Sequence, residues 1–389
     1  MFATALLPDH LAMGCERHLE LPHAGTSVIP MSTLIERTRS GLYCTRGDFY
    51  IDPSYPVKRA LITHAHADHA RYGCRQYLAS EESEHLLRLR MNRDAEFSFL
   101  RFGESISIGG VTVSFHPAGH ILGSAQIRLE HRGYVVVVTG DYKLEADPTC
   151  TPWEPVPCNH LITESTFGLP VFRWPAQEQV QASINQWWRE NQASDRCSIL
   201  YGYAVGKSQR ILAGLDPTIG EIFTHGAVEK GIDAYRASGI ELPMTTHVAQ
   251  ADPKQDYRGA MILAVPGAHG TPWMRKFGSC RTAMASGWTM VRGWRRRRSM
   301  DQGFVISDHI DWPGLLEAIH QSGAEKIWVD HGYSEVVARY LNEMGRHAIS
   351  IDNRSRSSEE DPAEENPNDN TTTTADLEEG KLTDAESST

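Results

Sequence analysis

Long apolar runs are missing from this chain. None approaches the ~20 residues that a membrane-spanning helix requires, which argues against a membrane as partner. Met1 to Gly14 has neither a basic start nor a clean apolar stretch, so no secretory signal is expected. Cysteine is sparse: the seven residues, at 15, 44, 74, 150, 158, 197 and 280, are scattered, and no Cys-x-x-Cys pair occurs. That argues against a disulfide framework and for a reducing cytoplasm. No segment repeats, which excludes a solenoid. Net positive charge is lacking too, the total being −11. From Asn353 onward eleven acidic residues stand against Arg354, Arg356 and Lys381, which accounts for −8 of that total and leaves −3 for residues 1–352. A body so near neutrality can still carry local basic patches for nucleic acid. The 40% of hydrophobic residues over 389 positions is enough for one large or two medium domains.

What is there centres on residues 60–70. The apolar run Ala60-Leu61-Ile62-Thr63 reads as a buried strand, and it leads straight into His64, His66, Asp68 and His69. A lone histidine after a strand is usually a polar loop residue. Four ligand-type side chains in six positions are a metal site, and imidazole with carboxylate suits zinc, manganese or iron better than magnesium or calcium. The stretch resembles the signature of the metallo-β-lactamase fold, whose hydrolases bind two metals there.

The rest of the chain divides by pattern. Residues 1–32 have no clear period and read as a variable extension. Strands are expected over Leu42–Asp52, Arg75–Ala79, around Ile106, over Val111–Phe115 and over His160–Thr163. A hairpin is expected over Arg132-Gly133, and a helix over Glu81–Met91. From Pro175 to about Arg298 strands and helices alternate, as in a small α/β domain with a parallel sheet. Afterwards helix Trp312–Ser322, strand Lys326–Val329 and helix Ser334–Met344 return to the first style. The expectation is therefore one body from residues 33–170 and 300–352, a domain inserted at 171–299, and an acidic tail at 353–389 that cannot bury enough surface to order itself.

Further ligand-type residues each follow an expected strand: His120 after Val111–Phe115, Asp141 after Val135–Val138, and His331 after Lys326–Val329. Strand ends along one sheet edge converge, so distant residues can share a site. One metal is then expected on His64, His66 and His120, a second on Asp68, His69 and His331, with Asp141 between them. Two divalent ions, zinc or manganese, suit phosphoryl chemistry. The other twelve of the 18 histidines, apart from His309, read as surface or core residues.

Three segments select a branch of this fold: Ile162-Thr163-Glu164-Ser165-Thr166-Phe167-Gly168, Ile306-Ser307-Asp308-His309-Ile310-Asp311 and Val329-Asp330-His331-Gly332. With the insertion, they resemble the extra motifs of the β-CASP nucleases over about residues 41–350. The resemblance implies an αββα sandwich with an inserted small α/β domain. It implies that a hydroxide held between the metals attacks a phosphodiester, with Asp68 in the catalytic set. Glu164 would hold His309 protonated as general acid, and Asp52 would hydrogen-bond a ligand histidine. Closer wording comes from Gly41-Leu42-Tyr43-Cys44, Gly47-Asp48-Phe49-Tyr50-Ile51-Asp52-Pro53, Ala65-His66-Ala67-Asp68-His69-Ala70-Arg71, Pro272-Trp273-Met274 and Ser286-Gly287-Trp288 with Arg295 to Arg298. These resemble the ligase-associated DNA exonucleases of bacteria, which implies a DNA substrate, single-stranded or duplex ends, and an ATP-dependent DNA ligase and a helicase as partners in repair. His331 points the other way, since histidine at that motif is typical of the RNA-processing β-CASP families.

For holding the substrate, Arg292 and Arg295, Arg296, Arg297 and Arg298 form the strongest basic run of the body, suited to bidentate phosphate contacts. Lys207, at the start of an expected helix, and Ser307, beside His309, join them as expected contacts. Gly202 to Ser208 lacks the spacing of a nucleotide-binding P-loop, because Tyr201 stands where its first glycine belongs. The rival readings are an RNase of the same chemistry, a small-molecule hydrolase of this fold and a non-catalytic scaffold. The insertion and the arginines oppose the hydrolase, and the complete ligand set opposes the scaffold.

Overall fold

The structure, a computed structural model, describes residues 34–91, 95–291 and 300–352. The extension at 1–32, the acidic tail and the arginines at 292 and 295–298 lie outside the described residues. Three sheets carry the fold. The first orders β1 (Ile35–Thr38), β2 (Gly41–Cys44), β3 (Phe49–Ile51), β4 (Arg59–Leu61), β5 (Gln76–Ser80) and β6 (Glu96–Leu100) in sequence. The second contains β7 (Ser105–Ile108), β8 (Val111–Pro117), β9 (Ala125–His131), β10 (Tyr134–Val138), β11 (His160–Glu164), β18 (Lys326–Asp330) and β19 (His347–Ser350), in the order β19-β18-β11-β10-β9-β8-β7. Arg132 and Gly133 turn the β9–β10 hairpin with φ of 52° and 78°, the left-handed pair that matches strand twist.

Alternation along the strands builds the layers. Val136 and Val138 of β10, Ile162 of β11, Trp328 of β18 and Leu61 of β4 meet in one core between the two sheets. Their neighbours Val137, Leu161, Ile327 and Val329 face the other way, against Leu315 and Ile319 of a helix over Trp312–Ser322 and Val337 and Leu341 of a helix over Ser334–Glu343. On the outer face of the first sheet, Ala60 and Ile62 pack with Leu86 and Leu87 of α1 (Glu84–Arg90). The result is the four-layer αββα sandwich of the metallo-β-lactamase fold, with two halves of chain joined in its second sheet.

The third sheet belongs to the β-CASP insertion. Its six strands, β14 (Thr246–His247), β13 (Ile222–Thr224), β15 (Met261–Ala264), β12 (Cys197–Tyr201), β16 (Cys280–Ala285) and β17 (Gln302–Phe304), are all parallel. Helices α2 (Gln177–Gln192), α3 (Lys207–Ala213) and α4 (Gly226–Ala237) connect them; the two later helices are α5 (Trp312–Ser322) and α6 (Ser334–Glu343). Tyr235 of α4 packs into the same cluster as Leu86 and Leu87 of α1, so the insertion rests on the first body. Strand β17 pairs with β16, which puts Gln302–Phe304 on the inserted sheet and not in the returning body as the pattern suggested. Strands β1, β6, β14 and β19 were not expected; all are short edge or near-edge strands with mixed burial.

Candidate metal centre

Strands β8, β10, β11 and β18 run in the same direction, so their carboxyl ends share one edge of the second sheet. His120, Asp141, Glu164 and His331 sit at those ends, and the loop after β4 brings His64 to His69 alongside. Three groups of donor atoms form there, each with its atoms within 4.8 Å of one another: His64, His66, His120 and Asp141; His69, Asp141 and His331; Asp141, Glu164 and His309. Asp141 is common to all three. His331 reaches the site from a left-handed residue, φ 57°, followed by Gly332 at φ 61°. A side chain at Gly332 would lie 2.5 Å from the Ser165 carbonyl, so only glycine lets this loop lie against the Glu164 strand end.

The hydrogen-bond partners fix the histidine tautomers. His66 Nε2 lies 3.2 Å from the Val205 carbonyl, and His120 Nδ1 lies 2.7 Å from the Asp308 carbonyl. A carbonyl only accepts, so both nitrogens carry the proton and donate. His64 Nδ1 is 3.1 Å from Thr63 Oγ1, whose own hydrogen goes to Asp52 Oδ2 at 2.5 Å. That nitrogen therefore also donates. The opposite nitrogens are bare lone pairs, and they face one another: His64 Nε2 and His120 Nε2 each lie 3.1 Å from His66 Nδ1. Burial, then neighbouring imidazoles, pushes His64 and His120 well below the ordinary histidine range. Burial lowers His66 as well. Three neutral imidazoles aiming lone pairs at one point repel unless a cation lies among them. The residues present fit a divalent metal of nitrogen preference.

The second group is organised differently. Asp52 follows β3 directly, with φ 42°; its Oδ2 lies 2.7 Å from His69 Nδ1, and its Oδ1 accepts from Thr63 N at 2.8 Å. His69 Nε2 then faces Asp141 at 3.4 Å and Asp68 at 3.6 Å. Burial opposes the charge on His69, but Asp141, Asp68 and Asp52 outweigh it and raise its pKa well above the ordinary value. Burial would raise Asp141, yet His69 and His309 hold it well below the usual carboxylate range. Asp68 belongs to none of the three donor groups; its side chain is 69% exposed at the lip of the site. This acid-rich half calls for positive charge as firmly as the first half does.

His309 stands beside both. Its Nδ1 is 3.0 Å from Glu164 Oε2 and 3.8 Å from Asp141 Oδ2. Burial works against protonation, but Glu164 and then Asp141 raise its pKa to about 9. The following Asp311 caps α5 by accepting from Gly314 N at 2.9 Å, and it also accepts from Trp174 N, which fixes the loop carrying His309.

Two expected substrate contacts are buried. Lys207 is buried, with its ammonium 3.3 Å from Asp308 Oδ2 and over the Tyr203 ring, so it does not reach a surface where a phosphate could meet it. Ser307 is buried too, its hydroxyl accepting from His309 N at 3.1 Å within its own loop. The sequence reading missed the Val205 and Asp308 carbonyls that orient two histidines, the Thr63 hydroxyl between Asp52 and His64, and a buried charge cluster of Lys143, Asp147, Lys207, Arg210 and Asp308. Backbone carbonyls leave no mark on a sequence; the adjacency of Asp308 to His309 was the one available signal.

No family model matches the chain. It is similar to a probable DNA ligase of Opitutus terrae, 32% identical over 317 residues, which are 80% of this chain and 30% of that protein. It is similar to an RNase J-like protein of Methanocaldococcus jannaschii, 27% identical over 168 residues, 41% of this chain and 38% of that one. The chain thus spans well under half the length of either relative. Among solved structures, a protein of unknown function from Enterococcus faecalis matches with a TM-score of 0.51 and 12% identity over 75% of this chain and 78% of that one, a likeness of fold. Among the described residues no helix is long and apolar enough to cross a membrane. The αββα body and its inserted parallel sheet are the architecture of the metallo-β-lactamase fold with a β-CASP insertion.

Proposed function

We propose that this protein is a metal-dependent nuclease that hydrolyses phosphodiester bonds of DNA, working as an exonuclease in repair beside an ATP-dependent DNA ligase and a helicase. The observation that carries the hydrolytic part is the convergence of three bare imidazole lone pairs and Asp141, with a protonated His309 3.8 Å from that carboxylate. His64, His66 and His120 would hold one ion, and His69 and His331, with Asp68 at the lip, would hold the second, with Asp141 within reach of both sets. Two divalent ions, zinc or manganese by this donor set, would supply acidification of a water and neutralisation of the phosphoryl oxygens. The chain's own residues do the rest. Asp52 keeps His69 oriented through Nδ1. Glu164 keeps the proton on His309, which donates it to the leaving oxygen of the sugar. The arginines at 292 and 295–298 supply charge for the phosphate backbone.

The DNA reading is supported by the relative described as a probable DNA ligase, whose similarity extends over 80% of this chain. RNA is the second reading, supported by the RNase J-like relative and by histidine at position 331. Digestion of 5′- and 3′-labelled single- and double-stranded DNA and matched RNA, with manganese or zinc added, separates them. Stepwise loss of terminal nucleotides from DNA with RNA left intact is expected. Cleavage of RNA alone would replace the DNA reading, and inertness toward both polymers with hydrolysis of a thioester or lactam would end the nuclease reading.

A further inference from the structure

One segment of the insertion, Tyr203 to Arg210, reaches into the site. Its Val205 carbonyl accepts the hydrogen bond donated by His66 Nε2. Gln209 folds the loop that presents this carbonyl, donating to the Ala204 carbonyl at 2.9 Å and accepting from Gly206 N at 2.7 Å. Gly206, at φ 90°, passes so close to the His120 loop that a Cβ there would fall 2.2 Å from Ile121 Cγ2. Arg210 lies one turn further along α3 and is buried. Its Nη1 donates to the Ser307 carbonyl at 2.6 Å and reaches Asp308 Oδ1 at 3.3 Å. Its Nη2 donates to Glu145 at 2.7 Å and to Gln177 at 2.6 Å. One guanidinium thus grips the peptide whose next carbonyl, that of Asp308, orients His120 at 2.7 Å. Lys207 holds the other oxygen of the same Asp308 carboxylate, and Lys143 pairs with Asp147 at 2.6 Å while reaching the His120 carbonyl at 3.1 Å. A rigid, forked donor suits this task where a lysine would not.

We infer that Arg210 is a positioning residue for the three-histidine site: the insertion, through Arg210 and Val205, sets the inward nitrogens of His120 and His66, so that this half of the centre is complete only with the insertion docked. The inference rests on the metal-centre reading above. The other half owes its orientation to Asp52, within the first body, so the two halves should separate on mutation.

The test is competitive zinc titration against a chromogenic chelator, with circular dichroism and thermal unfolding in parallel. It uses the full chain as wild type, Arg210→Met, Arg210→Lys and Arg189→Ala. Arg189 is an exposed residue of α2, paired with Asp216 away from the site, and controls for general weakening of the insertion. Wild type should take up two zinc ions. Arg210→Met should weaken one of them about 10–100-fold, the range for loss of a group that orients a ligand, and leave the other unchanged. In a His331→Ala background the loss should fall on the tight site that remains. Arg210→Lys keeps a buried cation for Asp147 and Asp308 but loses the fork, and should show the same selective loss if the methionine variant does not fold. Unchanged zinc affinity in a folded Arg210 variant, or equal weakening of both sites, would overturn the inference. A wild-type chain that takes up no zinc removes the metal-centre reading and this one with it, an outcome read from the wild-type trace alone.

Discussion

At the start of β11 the His160 ring is buried against Trp328, centroids 4.6 Å apart, with its Nε2 unpaired; burial, with Lys326 nearby, pushes its pKa down to about 3. Four residues on, the same strand ends in Glu164, which faces His309 and raises that pKa to about 9 against the same kind of burial. One end of the strand gives an imidazole no anion, and the other gives it one. The contrast extends along the sheet. Ligand-type residues gather at the carboxyl ends of β8, β10, β11 and β18, where irregular backbone frees side chains to converge, while the opposite ends close the core. Changes at the carboxyl edge should therefore remove chemistry and spare the fold, and changes at the other edge should do the reverse.

The largest effect is expected at Asp141, shared by all three donor groups. Asp141→Ala should lower metal content and cut turnover on the order of 10³-fold or more, the scale of several kcal/mol of transition-state stabilisation by metal ions. Metal analysis and nuclease assay of the purified variant check this. Normal turnover would sink the shared role of Asp141.

Next comes the His309–Glu164 pair. His309→Ala should keep metal content but slow turnover on the order of 10²–10⁴-fold, as for a lost general acid. Wild-type activity should fall on the alkaline side, as His309, whose proton Glu164 holds to a higher pH than an ordinary histidine keeps it, becomes neutral. Glu164→Gln should move that limb toward the ordinary histidine value near 6.5. The pair acts on stability with the same sign. A pKa raised on folding contributes in full below about 6.5, and the contribution is lost as pH climbs to about 9. A pH–rate profile whose alkaline limb is the same in both proteins would remove His309 as the acid.

The carboxyl edge was legible because its residues are of rare type and fixed order: His64-x-His66-x-Asp68-His69, then Asp141, Glu164, His309 and His331, each just after a β-rich run. The Asp52–His69 bond, too, is the carboxylate–imidazole pair that the motif implied. What could not be read is what orients the site from behind. The Val205 and Asp308 carbonyls are backbone atoms that any residue supplies. Lys207 and Arg210 open a helix whose first six residues are all buried, so charges that look like a solvated face are in fact interior ion pairs. That is why Lys207 read as a phosphate contact. Strand β17 escaped its sheet for a simpler reason, since three residues carry no periodicity.

The smallest effect is expected at the other end of β11, and it should appear only in stability. His160 has a folded pKa below its unfolded value near 6.5. The unfolded chain therefore binds a proton first, and stability is lost as pH falls from about 6.5 toward about 3. His160→Phe fills a similar volume beside Trp328, removes the unpaired nitrogen and removes this acid-linked loss. Its acid-unfolding midpoint, followed by tryptophan fluorescence, should lie at lower pH than that of the wild type, with turnover at neutral pH unchanged. An unmoved midpoint would mean that His160 finds water or an acceptor in solution, and the two ends of β11 would then differ in charge partner but not in their coupling to pH.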